Sequence, residues 1–435
     1  MTKSPDTRVP DYDIAIVGAG MVGSALAALL SASGAGWKVV LLDRYPLTPA
    51  AEGREERYEA GRDHRATALS AGSVEILKRA GLWSELAVHA TTIQQVHVSD
   101  RGHLGGALLN AVDQGCDGLG YVLENAWLLP CLQRAGCQGA QRVLAPVMVT
   151  ALEQGRSFTR LHLSNPSESS SEEDAPPSSL SARLVVLADG GASDLPRQLG
   201  INAVRQNYGQ CALITRVTFE RAHQYRAFER FTEDGPLALL PLGEKASART
   251  AALVWTLPPA RAEQMVGASA PEFLAALQET FGWRLGRFTE VGERQSWPLS
   301  LVRAEEQIRS RLVLLGNSAH YLHPVAGQGF NLSLRDATAL SASLSRARSD
   351  SQDPGGLALL HAYQQRRHRD QWTTIHLSDR LVRIFTSRRP LDMALRHIGL
   401  AGLDWLPGVK PLFAAQTMGL LGSPGRAVNT EESHP

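Results

Sequence analysis

The sequence predicts an α/β fold in which a domain with a parallel sheet carries an inserted antiparallel sheet and a helical C-terminal tail. Three observations predict this arrangement. Residues 12–42 follow the order apolar run, glycine-rich turn, small-residue helix and second apolar run, which is typical of a βαβ unit. Residues 211–257 contain four apolar runs at regular spacing, which indicate antiparallel strands. From residue 357 onward, apolar residues recur at helical spacing.

The composition is that of an ordinary globular protein. With 435 residues, 43% hydrophobic and 20% charged, the chain is long enough for two domains with a sizeable core. A formal net charge of +1 gives no support to nucleic-acid binding. The 4 cysteines form no CxxC pair and follow no secretory signal, so we expect reduced thiols in a cytoplasmic protein. No apolar stretch is long enough to span a membrane.

The glycine-rich turn reads GAGMVG at residues 18–23. Gly18 is expected to make the tight turn, Gly20 to let a pyrophosphate approach the backbone, and Gly23 to let the helix pack on the strand. Asp43 closes the second apolar run, where an acid typically accepts hydrogen bonds from an adenosine ribose. The competing hypothesis is a glycine-rich helix start that binds nothing, but the two flanking strands and the terminal acid argue against it.

The segment RATALS, residues 65–70, leads into a predicted helix at residues 71–80. An arginine immediately before a buried helix can clamp a phosphate or the ribityl oxygens of a flavin. A solvated surface arginine fits the local sequence equally well, so both roles stay open for Arg65. The other predicted elements are helices at residues 123–136, 272–281 and 357–384 and strands at residues 143–152, 159–163, 184–188, 211–220, 227–232, 237–242, 250–257, 296–302 and 312–315.

A second polar, glycine-rich loop follows the apolar run at residues 312–315. Pro324, Gly327 and Gly329 lie where this loop must turn and expose its backbone. The next helix is expected to begin near Gln328 or Gly329, with unpaired N–H groups and partial positive charge at its start. Such a site favours an electron-rich or anionic group, either a reduced flavin or a phosphate.

Three motifs spread over the chain resemble the fingerprints of one family. GAGMVG, ADGGAS at residues 188–193 and GNSAHYLHPVAGQGFNLSLRD at residues 316–336 resemble the FAD-dependent aromatic hydroxylases of the para-hydroxybenzoate hydroxylase type. The resemblance implies an FAD-binding Rossmann-like domain of that type with an inserted antiparallel-sheet substrate domain. The expected boundaries are residues 1–90, 120–203 and 303–345 for the discontinuous FAD-binding domain, 91–119 and 204–302 for the substrate domain with a mixed sheet, and 346–435 for the helical C-terminal region.

Further segments narrow the resemblance within that class. HPVAGQGFNLSLRD, RATALS and the pair Glu124 and Asn125 are similar to the ubiquinone-biosynthesis hydroxylases. Asn317 and residues 402–422 are most similar to the 2-polyprenyl-6-methoxyphenol hydroxylases.

The resemblance also implies the residues that bind FAD. The three glycines of the first motif would hold the pyrophosphate, and Asp43 the adenosine ribose. Asn317 stands where many relatives have an aspartate that binds a ribityl hydroxyl, so it keeps a polar side chain and loses the charge. The segment from Gly327 to Asn331 would lie along the edge of the isoalloxazine ring. The full predicted set is Gly18, Gly20, Gly23, Asp43, Arg65, Asp189, Asn317, Pro324, Gly327, Gly329 and Asn331.

The activity that the resemblance implies is hydroxylation of a polyprenylated phenol in ubiquinone biosynthesis. FAD would accept hydride from NAD(P)H and react with O2 to give a C4a-hydroperoxyflavin, which needs an enclosed apolar site. Only one βαβ fingerprint is visible, so NAD(P)H would visit as a co-substrate. No catalytic base is identifiable. His320 and His323 are expected to order the loop, and we expect no metal site because a third ligand at suitable spacing is absent.

The tail has a composition that suits a membrane surface. Residues 395–422 are rich in Leu, Trp and Phe but are interrupted by Pro407 and Pro411. We expect peripheral contact with the inner membrane face, or else a helical cap or a subunit contact. A multiprotein assembly for ubiquinone biosynthesis is a prediction of the same kind.

Other functions on the same fold are the alternatives. They are hydroxylation of another ring position or another aromatic substrate, a flavin dehydrogenase or halogenase, and a non-catalytic flavoprotein subunit of a biosynthetic complex. A halogenase would be expected to carry an additional lysine and a WxWxIP stretch near the first domain, and this sequence has neither.

Overall fold

The computed structural model describes residues 9–47, 65–101, 106–165, 177–322 and 327–386. His323, Pro324 and the predicted membrane-contacting tail lie outside the described residues. The described strands are β1 (Tyr12–Val17), β2 (Val39–Leu42), β3 (Ala66–Ser70), β4 (Thr91–Ile93), β5 (Gln95–Asp100), β6 (Gly106–Asn110), β7 (Gly120–Glu124), β8 (Arg142–Leu144), β9 (Met148–Gln154), β10 (Thr159–Ser164), β11 (Ser179–Leu187), β12 (Ala203–Phe219), β13 (Arg226–Phe231), β14 (Pro236–Leu242), β15 (Thr250–Leu257), β16 (Phe288–Val291), β17 (Gln295–Ala304), β18 (Ile308–Arg309), β19 (Leu312–Leu314) and β20 (His320–Tyr321). The described helices are α1 (Met21–Ala32), α2 (Ala71–Arg79), α3 (Trp83–Ala87), α4 (Asn125–Gly139), α5 (Leu195–Gln198), α6 (Pro259–Gly267), α7 (Ala270–Phe281), α8 (Gln328–Ser349) and α9 (Leu357–Thr386).

The first sheet has the strand order β18-β19-β11-β1-β2-β8. β1 lies near its centre and pairs in parallel with β2 and β11, and β11 pairs in parallel with β19. A parallel sheet needs cover on both faces. α1 and α8 pack over Ile14 and Ile16, while the antiparallel β9–β10 ribbon packs over Ala15 and Val17 on the other side. The apolar run that predicted β1 is therefore buried from both directions.

The second sheet has the order β20-β17-β12-β15-β14-β13-β5-β6, and β16 pairs with β12. One face packs against α6 and α7, where Trp255 meets Phe273 at a ring-centroid distance of 5.9 Å. Its strands pair in the predicted antiparallel manner except β5 and β13, which pair in parallel. β5 lies far upstream of β13 in the chain, so no tight hairpin imposes an antiparallel direction on this pair.

A third, small sheet has the strand order β3-β7-β4. The predicted helix at residues 123–136 begins two residues later than expected, because Gly120–Glu124 forms β7 and pairs with β3. The predicted strand at residues 143–152 is two strands. β8 joins the parallel sheet beside β2, whereas β9 joins the ribbon with β10.

A buried ionic network joins α8 to α9. The carboxylate of Asp336 accepts hydrogen bonds from Arg367 Nε at 2.5 Å and Gln371 Nε2 at 3.0 Å. Its Oδ2 lies 2.7 Å from His320 Nε2. Arg367 also binds Asp370 on its own helix. Burial opposes ionisation of Asp336, but the hydrogen bond to His320 and the charge of Arg367 hold the pKa of that carboxyl below its usual value.

The predicted domain boundaries stay a prediction, and the pairing of β5 with β13 supports the grouping of residues 91–119 with residues 204–302. Within the described ranges, no helix combines the length and the apolarity that crossing a bilayer requires.

Candidate active site

One large cavity gathers almost every described residue of the predicted FAD site. It has a volume of about 1410 Å³ and is lined by the β1–α1 turn, β3, the segment after β11, the start of α8 and one face of the second sheet. The predicted residues that line it are Gly18, Gly20, Asp43, Arg65, Asp189, Asn317, Gly327, Gly329 and Asn331. Gly23 is buried beneath it, and Pro324 lies outside the described residues.

Parallel pairing explains why three motifs so distant in sequence meet here. β1, β11 and β19 lie side by side, with Val17 opposite Leu187 and Leu187 opposite Leu314. Each of the three motifs begins within two residues of the end of its strand. Because parallel strands end at the same edge of a sheet, the three loops converge on one site.

Two of the three glycines of the first motif are required by close packing. Gly18 has φ +105°, and a Cβ there would lie 2.5 Å from the carbonyl oxygen of Ala188. A Cβ on Gly23 would lie only 1.9 Å from the carbonyl oxygen of Gly18, so a side chain at this position would clash with the turn. Gly20 differs from both, since a Cβ there would meet nothing within 4 Å and would enter the open cavity.

Two helices begin at the cavity after a glycine, which has no side chain to cap the helix. α1 begins after Gly20 and α8 after Gly327, and neither has a side-chain cap or an acidic residue in its first turn. Free N–H groups and the positive end of the helix dipole favour anionic groups. One helix start suits a pyrophosphate and the other suits the electron-rich edge of a flavin.

Asp43 holds the first turn in shape. Its Oδ2 accepts a hydrogen bond from the backbone N–H of Ala19 at 2.6 Å, and its Oδ1 accepts one from Tyr45 at 2.9 Å. The motif did not indicate Tyr45 and Met148, which also line this end of the cavity. They come from segments without a recognisable pattern, so only the folded chain brings them to the site.

Asp189 joins the second motif to the third. Its carboxylate accepts hydrogen bonds from the backbone N–H groups of Gly191 and Ser193, both at 3.1 Å. It also accepts one from the hydroxyl of Ser318 at 2.6 Å. Asn317, next to Ser318, is exposed to the cavity. This geometry gives Asp189 a structural task and leaves the side chain of Asn317 facing the space predicted for the ribityl chain.

Asn331 ties the start of α8 to β3. Its Nδ2 donates to the carbonyl oxygens of Ala68 at 2.8 Å and Gly327 at 2.7 Å, and its Oδ1 accepts from the N–H of Ser70 at 2.8 Å. These three bonds to backbone make Asn331 a positioning residue for the loop. A Cβ on Gly329 would meet nothing within 4 Å, so the backbone there is open to a ligand.

Arg65 lies at the border between the two halves of the cavity. Its guanidinium is 5.6 Å from the ring centroid of Trp297 on β17, and both residues line the cavity together with Tyr321. Burial raises the pKa of Tyr321, and the positive charge of Arg65 opposes that shift. Arg65 is itself exposed, so its contact with the cofactor stays a prediction.

The second half of the cavity is an apolar wall. The inward-facing side chains of the second sheet that form it include Val96, Val98, Ala212, Ile214, Ala227, Phe231, Ala238, Leu240, Ala252, Val254 and Leu299. Glu229 and Thr256 are polar residues within this wall. No sequence motif marks Glu229. Strand alternation was the available indication, because it places Glu229 on the same side as Ala227 and Phe231.

The described histidine of the HxxH pair is buried outside this lining, where His320 binds Asp336. That position suits the predicted role in ordering the loop. No group of three His, Cys, Asp or Glu side chains able to hold a metal ion occurs among the described residues.

The glycine turn with an open position at Gly20 and the two uncovered helix starts fit an FAD molecule. A sequence model of the family described as FAD binding domain matches residues 11–378. The chain is 34% identical over 413 residues to ubiquinone hydroxylase UbiL of Rhodospirillum rubrum, covering 94% of this chain and 90% of the relative. The chain belongs to this family of FAD-dependent hydroxylases.

Two further comparisons agree with the family and the fold. The hydroxylase is 29% identical over 396 residues to 3-demethoxyubiquinol 3-hydroxylase of Escherichia coli K12, covering 90% of this chain and 94% of the relative. It is similar to the solved structure of p-nitrophenol 4-monooxygenase PnpA from Pseudomonas putida DLL-E4, with a TM-score of 0.71, 18% identity and coverage of 96% and 99% of the two chains. The predicted family and fold class are confirmed, whereas the closer resemblance to 2-polyprenyl-6-methoxyphenol hydroxylases stays a prediction.

The hydroxylase is thus an FAD-dependent aromatic monooxygenase with NAD(P)H as co-substrate. The contact that each site residue makes with FAD stays a prediction.

Proposed function

We propose that the hydroxylase adds an oxygen atom from O2 to the ring of a polyprenylated phenol in ubiquinone biosynthesis. The observation that carries this proposal is the continuity of the cavity from the glycine turn to the apolar wall of the second sheet. Typical small-molecule sites have volumes of about 300–1,000 Å³. At about 1410 Å³ the cavity has room for a second molecule beside a cofactor.

The residues of the chain would bind, orient and exclude water. FAD, when bound, supplies the chemistry that takes hydride from NAD(P)H and activates O2. The N–H groups at the start of α8 would stabilise negative charge on the reduced ring, because they are fixed in place before that charge develops. The apolar wall would keep water from the oxygen-transfer step and give a prenyl tail an apolar surface to cover.

The names of the relatives support the substrate class. UbiL is named a ubiquinone hydroxylase, and the Escherichia coli relative is named a 3-demethoxyubiquinol 3-hydroxylase. Both names describe hydroxylases of ubiquinone compounds. We propose the same class for this hydroxylase without assigning the ring carbon.

The test is product formation from phenols with and without a prenyl tail. The purified holoenzyme should absorb near ~450 nm and bleach with NAD(P)H, since this is the behaviour of a bound flavin. A 2-polyprenylphenol should accelerate NAD(P)H oxidation and give a product heavier by one oxygen, detected by mass spectrometry. Phenol without a tail should be a poorer substrate, because it covers less of the apolar wall. An absence of hydroxylated product would contradict the proposed function, and equal use of both phenols would contradict the proposed role of the tail.

We also propose a cytoplasmic location with peripheral contact at the inner membrane face, through residues 395–422. The tail combines Leu, Trp and Phe with Arg396 and Lys410, which suits an interfacial position.

Deleting residues 395–435 is expected to reduce binding to anionic lipid vesicles in a flotation assay by about tenfold, which corresponds to about 1.4 kcal/mol. Deleting only the polar residues 423–435 is the matched control and should change little. Unchanged flotation after the longer deletion would remove the tail as the membrane contact. Assembly with other proteins of the pathway remains part of the proposal.

A further inference from the structure

Glu229 is a carboxylate in the apolar half of the cavity. It lies on β13, where the register pairs it with Ala238 of β14 and Val98 of β5. Ala227 and Phe231 precede and follow it on the same face of the strand, and all five residues line the cavity. An ionisable group is therefore surrounded by alanine, valine and phenylalanine side chains on the substrate side.

One oxygen of this carboxylate has no protein partner. Glu229 Oε1 is buried and makes no hydrogen bond with any described residue. A buried polar atom without a partner is costly and needs an explanation, which a ligand can supply. Burial raises the pKa of Glu229 to about 7, and no neighbouring charge contributes to that shift.

The charged residues near Glu229 are occupied elsewhere. On β13, Arg226 donates to Gln95 Oε1 at 2.8 Å, and Arg230 donates to the carbonyl oxygen of Thr280 at 3.0 Å. On β5, His97 packs against Phe228, whose ring belongs to the opposite face of the sheet. Asp100 of β5 is opposite Phe231 in the strand register and is buried, but it does not line the cavity. The facing residues of β14 are Pro236, Ala238 and Leu240, none of which ionises.

We propose that Glu229 is the acid–base residue of the substrate site and accepts the proton of the phenolic hydroxyl. This inference rests on the proposed function, because it requires a phenol as the substrate. Glu229 is unlike the residues of the FAD motifs, since it lies in the half of the cavity that those motifs do not reach.

The proposed step is a simple proton transfer. The O–H bond of the phenol breaks, a new O–H bond forms on the carboxylate of Glu229, and the electron pair stays on the phenolate oxygen. That pair is shared with the ortho and para carbons, which become better nucleophiles toward an electrophilic oxygen atom. The carboxylic acid then returns its proton to the oxygen of the product or to solvent, which restores the carboxylate.

The acidity of the buried carboxyl suits this role at neutral pH. A general base works best when its pKa lies near the operating pH. A phenol has a pKa of about 10 in water, so a carboxylate with a pKa of about 7 accepts a hydrogen bond from the bound phenol and at first leaves the proton mostly on the phenol oxygen. The transfer becomes complete as the ring bonds to oxygen, because the hydroxyl is then far more acidic.

The first experiment replaces Glu229 with glutamine, which keeps the shape and removes the base. In the holoenzyme, Glu229→Gln should lower the rate of product formation from a 2-polyprenylphenol by about 10²-fold or more, the usual contribution of a general base. Flavin content should be unchanged and NAD(P)H oxidation should continue, with H2O2 formed instead of product. The wild-type kcat should rise as the pH increases through about 7, and this rise should be absent in the variant. Glu229→Asp should recover part of the rate.

The matched control is Glu293→Gln, which removes an exposed carboxylate between β16 and β17. It should behave as the wild type does. A wild-type product rate and pH profile in Glu229→Gln would overturn the proposal.

A second measurement does not depend on turnover. A carboxyl whose pKa is 4.5 when unfolded and about 7 when folded keeps its proton in the native state, so its ionisation opposes folding. The free energy of unfolding, measured with urea, should therefore fall in the wild type relative to Glu229→Gln as the pH rises from about 4.5 to about 7. Above about pH 7 the difference between the two proteins should stay constant. Glu293→Gln should show no such trend. Parallel curves for wild type and Glu229→Gln would overturn the assignment of a near-neutral base.

Failure of the proposed function would look different. In that case the wild type would form no hydroxylated product. The role of Glu229 would then be tested by the affinity of the protein for the 2-polyprenylphenol. The phenol should bind the wild type more tightly above pH 7 than below it, measured by perturbation of the flavin spectrum, and Glu229→Gln should lose this dependence. The same pH dependence in both proteins would overturn it.

Discussion

Replacing Gly20 with leucine is expected to give a folded protein that no longer binds flavin. The Cβ direction at Gly20 meets nothing within 4 Å, and the residue has φ −68°, which any amino acid can adopt. The new side chain would occupy the part of the cavity in front of the first N–H groups of α1. Loss of this approach should weaken FAD binding by at least about 100-fold, or about 3 kcal/mol.

The measurement is the flavin-to-protein ratio after purification, followed by titration of the apoprotein with FAD. The free energy of unfolding of the apoprotein should fall by no more than about 1 kcal/mol, the usual scale for changing an N-cap residue. Gly267→Leu is the matched control, because this exposed glycine also has open space in its Cβ direction and lies at the end of α6, outside the cavity. A Gly20→Leu protein with normal flavin content would reject the pyrophosphate site.

Replacing Asp336 with alanine is expected to cause the largest loss of stability. Asp336 is 1% exposed and binds Arg367, Gln371 and His320 at 2.5–3.0 Å. Removing one partner from a buried ion pair leaves the other charge uncompensated, which typically costs about 3–5 kcal/mol. Because this network joins α9 to α8, we expect unfolding of the variant to begin with the separation of α9 from α8.

Urea unfolding of the purified protein measures the change. Asp350→Ala, which removes an exposed carboxylate at the end of α8, is the control and should have an effect within about 0.5 kcal/mol. The pH dependence provides a second check. Because the folded pKa of Asp336 is lowered, its contribution is present above the ordinary value of 3.8 and is lost as the pH falls below it. Asp336→Ala should remove that part of the acid sensitivity. A loss of less than about 1 kcal/mol would show that the network contributes little net stability.

The parts of the fold that could be predicted depend on local chemistry. Gly18, Gly20 and Gly23 are spaced for one turn and one helix start, and the apolar run before them has the length of one strand. The first turn of α8 could be located in the same way, because glycine and proline mark the loop before it. These features are encoded within about ten neighbouring residues.

The parts that could not be predicted depend on contacts between distant segments. The sequence shows that Glu229 is a charged residue in a strand with alternating apolar residues. That it faces a cavity depends on where the second sheet lies in the folded protein. α6 was missed because its start at Pro259 follows directly after β15, where proline usually suggests a turn. Asn331 lies within a recognised motif, yet its bonds to Ala68 and Ser70 cross more than 260 positions of the chain.

Those bonds have a consequence for synthesis of the protein. The first βαβ unit leaves the ribosome early, but β3 gains its bonds to Asn331 only after three quarters of the chain has been made. We expect a nascent chain that ends before residue 331 to lack the bonds that join β3 to the start of α8. Loading of the cofactor is therefore a late event, which follows translation of α8 and completes the maturation of the holoenzyme.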